Sequence, residues 1–182
     1  MKYYYFPVFV LLLSLMLIGF SQKSLASNRS NYSAATCRDE YNIAGTDTLR
    51  HLPAFSYPDT SGKRFSLKDL KGNRRTLVVF WASWCAPCRK EIPALKELYN
   101  QYQKRGFSII SISVDQNINA WKKAVKEEKM PWTNVANLPD DQNSIMDHFG
   151  IKAVPSLFLL DDAGSILLAD PTLEDLRAAL KM

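Results

Sequence analysis

The chain has 182 residues, enough for one well-buried domain and a short extra segment. Its apolar fraction of 47% and charged fraction of 23% are ordinary for a globular protein. The net charge of +5 is modest and spread along the chain, with no basic stripe carrying interleaved aromatics, which argues against nucleic acid as a partner.

Residues 1–26 read as a targeting segment. Lys2 supplies a positive start, and Phe6 to Phe20 is almost wholly apolar. At about 15 residues that stretch has the length of a signal-peptide core and is short for a membrane span, which needs about 20. Ser24-Leu25-Ala26 offers a small-x-small cleavage site, so the expectation is a signal peptide, with an uncleaved N-terminal anchor as the alternative. Residues 27–51 are polar and read as a linker or arm carrying the lone Cys37. The folded domain is expected over 52–182.

Pro53 to Tyr57 and Lys63 to Leu67 alternate in polarity about the turn Asp59-Thr60-Ser61-Gly62, a β-hairpin signal. Lys68 to Gly72 suggests a short helical turn. Thr76 to Trp81 is a continuous apolar run rich in β-branched residues, so it reads as a strand buried on both faces. Ile92, Leu95, Tyr99 and Tyr102 recur at helical spacing, which predicts a helix over about 87–104, with Pro93 inside it and Gly106 beyond. Phe107 to Val114 is the next strand, so strand, helix and strand form a βαβ unit with parallel strands.

A second helix is expected over 119–128, a short strand over 132–136 and a helical stretch over 141–149 that stops at Gly150. Ser156 to Leu160 and Ser165 to Ala169 read as strands paired about the turn 161–164. Thr172 would cap a last helix with Leu173, Leu176 and Leu180 on its inner face. The outcome is an α/β sheet, parallel in the middle and antiparallel at its end.

Three cysteines are few for a disulfide scaffold, and two of them, Cys85 and Cys88, sit three apart where a buried strand meets a helix. That spacing lets both sulfurs meet on the first helical turn. Unpaired N–H groups and the helix dipole favour an anion there, which lowers the pKa of Cys85 and makes it the attacking thiolate. Cys88, more enclosed, would resolve the mixed disulfide. Pro87 suits the first turn, Trp84 gives an apolar platform beside an exposed sulfur, and Arg89 would further favour thiolate. Three other readings compete. A structural disulfide across two residues would staple little chain. Zinc wants four ligands, whereas Cys37, His51 and His148 stand alone. An inert core pair is the third.

Phe80-Trp81-Ala82-Ser83-Trp84-Cys85-Ala86-Pro87-Cys88-Arg89 resembles the active-site run of the thioredoxin superfamily, and Val154-Pro155-Ser156 resembles its cis-proline loop. Glu91, Pro93, the leading hairpin and the long stretch from Val114 to Pro155 are similar to the extracytoplasmic TlpA/ResA-like branch, related to AhpC/TSA and Redoxin domains. The resemblance spans about 52–182. It implies a thioredoxin-like fold: a central mixed β-sheet flanked by helices, with an N-terminal β-hairpin and an inserted helix and strand. It makes Cys85 the nucleophile and Cys88 the resolving thiol. Pro155 would be cis and face the disulfide, and the Val154 backbone would pair with an extended substrate segment. Thioredoxins proper keep a buried acid in the strand before the motif, where this chain has Val79. Glu91, one helical turn past Cys88, would instead exchange protons with it. Asp115 would line the site or cap its loop.

The implied activity is thiol–disulfide exchange outside the cytoplasm, mainly reducing. Its partners would be protein dithiols or disulfides, such as apocytochrome c before haem attachment, and a membrane or periplasmic thiol electron donor. No cofactor and no metal are called for. A thiol peroxidase of the peroxiredoxin type is a rival, although the segment before Cys85 lacks the Pro it would want. A non-catalytic binding module is the other.

Overall fold

The computed structural model describes residues 51–70, 72–137 and 145–181. The targeting segment, the polar arm to residue 50 and Cys37 lie outside the described residues, as does the start of the helical stretch expected from 141.

The leading hairpin pairs β1 (Ser56–Pro58) antiparallel with β2 (Arg64–Ser66). The Asp59 carboxylate organises the turn by accepting the N–H groups of Ser61 and Lys63 at 2.8 and 3.0 Å. A 3-10 helix, Leu67–Leu70, follows, and Gly72 adopts the left-handed φ of +99° that a side chain would resist.

Among the described residues, β3 (Arg75–Trp81), β4 (Phe107–Ser113), β5 (Thr133–Ala136), β6 (Ser156–Leu160) and β7 (Ile166–Ala169) make the main sheet, in the order β5-β4-β3-β6-β7. β3 is central, parallel to β4 and antiparallel to β6. β5 runs parallel to β4, and β7 antiparallel to β6, with a register shift between Leu159 and Leu160. The mixed sheet and the N-terminal hairpin are therefore as expected.

Because side chains alternate across a strand, β3 serves two cores. Leu77, Val79 and Trp81 pack with Ile92, Leu95 and Leu98 of α1 (Ala86–Tyr102), with Trp121 of α2 (Ile118–Glu128) and with Leu176 of α4 (Leu173–Leu180). Val78 and Phe80 point the other way, against Phe55 and Tyr57 and against Ile145 and Phe149 of α3 (Ile145–Phe149). A strand covered on both faces needs a continuous apolar run, and 76–81 supplies it. Among the described residues, no helix is long and apolar enough to cross a membrane.

The last helix corrects one expectation. Thr172 caps α4 in a capping box with Asp175, and Leu176 and Leu180 are buried, but Leu173 stays exposed. Leu173 is the first residue of the helix and sits at its end, whereas Leu176 and Leu180 lie further along on the face that meets the core.

Candidate active site

β3 ends at Trp81, and the chain turns through Ala82, Ser83 and Trp84 into α1. The Cys85 N–H donates to the Ala82 carbonyl at 3.1 Å, closing that turn. Cys85 is the N-cap of α1, in extended backbone (φ −82°, ψ 95°), and its Sγ accepts the Cys88 N–H at 3.2 Å. An N-cap normally uses a side-chain oxygen for this; here a sulfur takes the place. Pro87 lies in the first turn, where its missing N–H breaks no helical bond.

Cys85 and Cys88 are joined in a disulfide, with Cα atoms 5.3 Å apart. Each residue is only 3% exposed. That differs from the expected accessible first sulfur. The Val154–Pro155 peptide is cis, and its loop brings the Val154 carbonyl oxygen to 3.7 Å from Cys85 Sγ, partly roofing it. With the disulfide closed that sulfur carries no proton, so the approach is a contact. The Val154 N–H has no hydrogen-bond partner among the described residues, and its C=O meets only Cys85 Sγ. Trp84, by contrast, is 67% exposed at the rim. The structure thus places Trp84, Cys85, Pro87, Cys88, Val154 and Pro155 together at one end of the sheet.

Val79 is buried in the same cluster as both cysteines, so the strand position beneath the pair is apolar. Glu91, half-buried on α1, has its carboxyl pushed above the ordinary range by burial. A raised pKa makes it a better proton acceptor than an ordinary exposed carboxylate, and it lies on the helix that carries the pair.

Arg89 departs from expectation. Its guanidinium donates to Glu128 at 2.6 Å and to Glu127 at 3.3 Å, both on α2. The Glu128 hydrogen bond, with the attraction of both carboxylates, raises its pKa further. Its guanidinium is thus held against α2 by two carboxylates.

Two acids, Asp115 and Asp170, make pairings that the sequence did not specify. The Asp115 carboxylate accepts from Ser83 and from Ser113, so it ties the active-site loop as well as capping its own. Asp170, just past β7, accepts the Leu157 N–H beside the cis-proline loop. His148 and His51 stay outside the site, paired with Ala54 and Ser165. Among the described residues, no group of three or more His, Cys, Asp or Glu could hold a metal ion.

The family model described as AhpC/TSA family matches residues 49–169. The chain belongs to that family. Within the AhpC/TSA family it is similar to the thiol-disulfide oxidoreductase ResA of Bacillus thuringiensis, at 33% identity over 135 residues, covering 72% of this chain and 76% of that one. The solved thioredoxin domain of a thiol-disulfide oxidoreductase from Bacteroides vulgatus is 34% identical with a TM-score of 0.67, and the match covers 75% of this chain and 97% of that one. A thiol:disulfide interchange protein from a Bacteroides species is 33% identical with a TM-score of 0.65, over 74% of this chain and 88% of that one. This AhpC/TSA member is a ResA-like thiol–disulfide oxidoreductase of thioredoxin fold, and protein thiols are its substrate class.

Proposed function

We propose that the enzyme is exported and reduces disulfides of protein clients outside the cytoplasm, with an apocytochrome c before haem attachment as client. The observation that carries the exchange chemistry is the N-cap contact, in which Cys85 Sγ accepts the Cys88 N–H at 3.2 Å within the Cys85–Cys88 disulfide. A thiolate gains more from that N–H and from the helix dipole than a thiol does.

In the reduced enzyme the Cys85 thiolate attacks one sulfur of the client disulfide. The client S–S bond breaks, a Cys85–client bond forms, and the released client thiolate takes a proton. Cys88 then gives its proton to the Glu91 carboxylate, directly or through water, and attacks Cys85 Sγ. The mixed disulfide breaks, the second client thiolate leaves, and the enzyme holds the Cys85–Cys88 disulfide. Two electrons have passed to the client. A membrane or periplasmic thiol donor restores the dithiol by the same exchange in reverse. No cofactor takes part.

With no partner among the described residues, the Val154 N–H suits an extended client segment adding as a short strand, with Pro155 holding it over the sulfur and Trp84 and Pro87 forming the apolar rim. Export is supported by the charged start, apolar core and small-residue site within 1–26, followed by the polar arm 27–51.

Trapping tests the reading. Full-length Cys88→Ala, expressed in the native host, cannot resolve its mixed disulfide and should hold an apocytochrome c on Cys85 in the extracytoplasmic fraction. Recovery of many unrelated proteins would replace that client with a general one. A Cys85–Cys88 pair found fully oxidised by thiol labelling of intact cells would overturn the reducing direction.

A further inference from the structure

Ser83 lies two residues before Cys85, and Asp115 two residues beyond the end of β4. The Asp115 carboxylate accepts the Ser83 N–H at 2.8 Å through Oδ2 and the Ser83 hydroxyl at 2.6 Å through Oδ1. Oδ2 also accepts the fully buried Ser113 hydroxyl at 2.7 Å, and Ser113 Oγ accepts the Asp115 N–H at 3.0 Å. The Val114 N–H donates to the Trp81 carbonyl at 2.9 Å, stitching the same two strand ends. Hydrogen bonds to a carboxylate are the strong kind, and three donors leave this one a single orientation.

We propose that Asp115 is a positioning residue for Cys85, gripping Ser83 in the middle of the Ala82-to-Cys85 turn and so holding the Cys85 sulfur against the Cys88 N–H. The inference rests on the exchange chemistry proposed above and assigns it a part outside the cysteine pair. Cys85 spends its own N–H on Ala82, so the turn is closed at both ends once Ser83 is fixed. A fixed turn fixes the backbone that aims the sulfur. The N-cap bond is stronger for a thiolate than for a thiol or a disulfide, so the clamp stabilises the reduced, ionised enzyme.

The sign separates this from a charge effect. If Asp115 acted only through its negative charge, removing it would favour the Cys85 thiolate and speed its reactions. If it acts as a clamp, removing it slows them. Of the other charged groups nearby on α1, Arg89 is matched by Glu127 and Glu128, and Glu91 is unchanged in these variants.

The experiment measures, on the full chain, the rate at which iodoacetamide alkylates reduced Cys85 at neutral pH and the redox equilibrium with glutathione. Asp115→Asn should react about tenfold more slowly, since a charged acceptor for several donors is lost. Its potential should fall by about 30 mV, the same tenfold expressed for a two-electron couple. Ser83→Ala should move both readings in the same direction, Ser83→Thr should restore them, and Ser83→Ala added to Asp115→Asn should change nothing further. Wild-type or faster alkylation in a folded Asp115→Asn, or no difference between Ser83→Ala and Ser83→Thr, overturns the clamp. If Asp115→Asn fails to fold, the two Ser83 variants decide alone. A wild-type enzyme that is alkylated normally but exchanges with no protein disulfide would count against the proposed function and leave the clamp standing.

Discussion

Asp170 and Leu157 hold each other in both directions: the Asp170 carboxylate accepts the Leu157 N–H at 2.8 Å, and the Asp170 N–H donates to the Leu157 carbonyl at 2.7 Å. Leu157 is two residues past Pro155, so this pair anchors the cis-proline loop to the end of β7. Asp170 does so in a left-handed backbone, at φ +46°, which Asp and Asn tolerate better than most residues. Asp170→Ala loses the carboxylate acceptor and meets that backbone cost, so it should lower stability by about 1–2 kcal/mol. Asp170→Asn keeps an acceptor and should lose less than half as much. Urea titrations of the oxidised proteins check this; equal losses would place the whole effect in the charge of the carboxylate, since Asn keeps both the backbone tolerance and a neutral acceptor.

Trp84 is 67% exposed yet adjoins Cys85, which is 3% exposed. A large aromatic left in water adds nothing to the core. Trp84→Ala should therefore change stability by less than about 0.5 kcal/mol. An aromatic anchor at the rim of a contact surface commonly carries more than 1 kcal/mol of binding, so reduction of a protein disulfide should slow by about tenfold. Reduction of a small disulfide such as a Cys-derived dimer has no such surface to lose and should change little. Equal slowing of both substrates would mean that Trp84 acts on the sulfur and not on the client.

The difference between these residues and the cysteines explains what was legible. β3 was readable because burial on both faces demands an unbroken apolar run, and 76–81 has one. The reactive pair was readable because its chemistry is local: a sulfur at an N-cap and its donor are three residues apart. The cis Val154–Pro155 peptide was legible as a family signature, although its contact with Cys85 spans 69 positions. Ser83 with Asp115 and Leu157 with Asp170 were not, since Ser and Asp are common loop residues and the pairings follow from sheet register. The missed burial of Cys85 has the same origin, because the Val154 carbonyl that roofs it comes from a distant loop. Arg89 misled for a related reason: adjacency to Cys88 suggested a charge for the sulfur, while the helix directed the side chain to α2.

That pairing gives a prediction at odds with the sequence expectation. Arg89 meets Glu128 at 2.6 Å and Glu127 at 3.3 Å, with more than a third of the Arg89 side chain exposed. Solvent screens such a pair, so Arg89→Ala should cost about 0.5 kcal/mol, and less at high salt. Since its charge is already matched by two carboxylates, its loss should leave the redox potential within about 10 mV of wild type, well short of the 30 mV that a tenfold change requires. A larger shift toward more reducing potentials would return Arg89 to the role of thiolate stabiliser.

Glu91 joins stability and catalysis with opposite signs. Burial raises its pKa above the unfolded value, so the native state binds its proton more tightly than the unfolded chain does. Above the raised native pKa the carboxylate is charged in both states and its burial is a full penalty. As pH falls through that pKa toward the ordinary range near about 4.3 the penalty disappears. Glu91→Gln is neutral throughout. The oxidised variant should melt higher than wild type at pH 7, and the two should converge at acidic pH. The oxidised form is the one to use, because neither cysteine titrates in it. The same substitution removes the proposed proton acceptor for Cys88. Resolution of a Cys85 mixed disulfide at pH 7 should slow by about 10²-fold, the lower end for a positioned acid or base. A variant that melts higher and resolves as fast as wild type would leave Glu91 a buried carboxylate without a part in the exchange. A variant that is slow but melts no higher would mean that its burial costs the folded enzyme nothing at neutral pH.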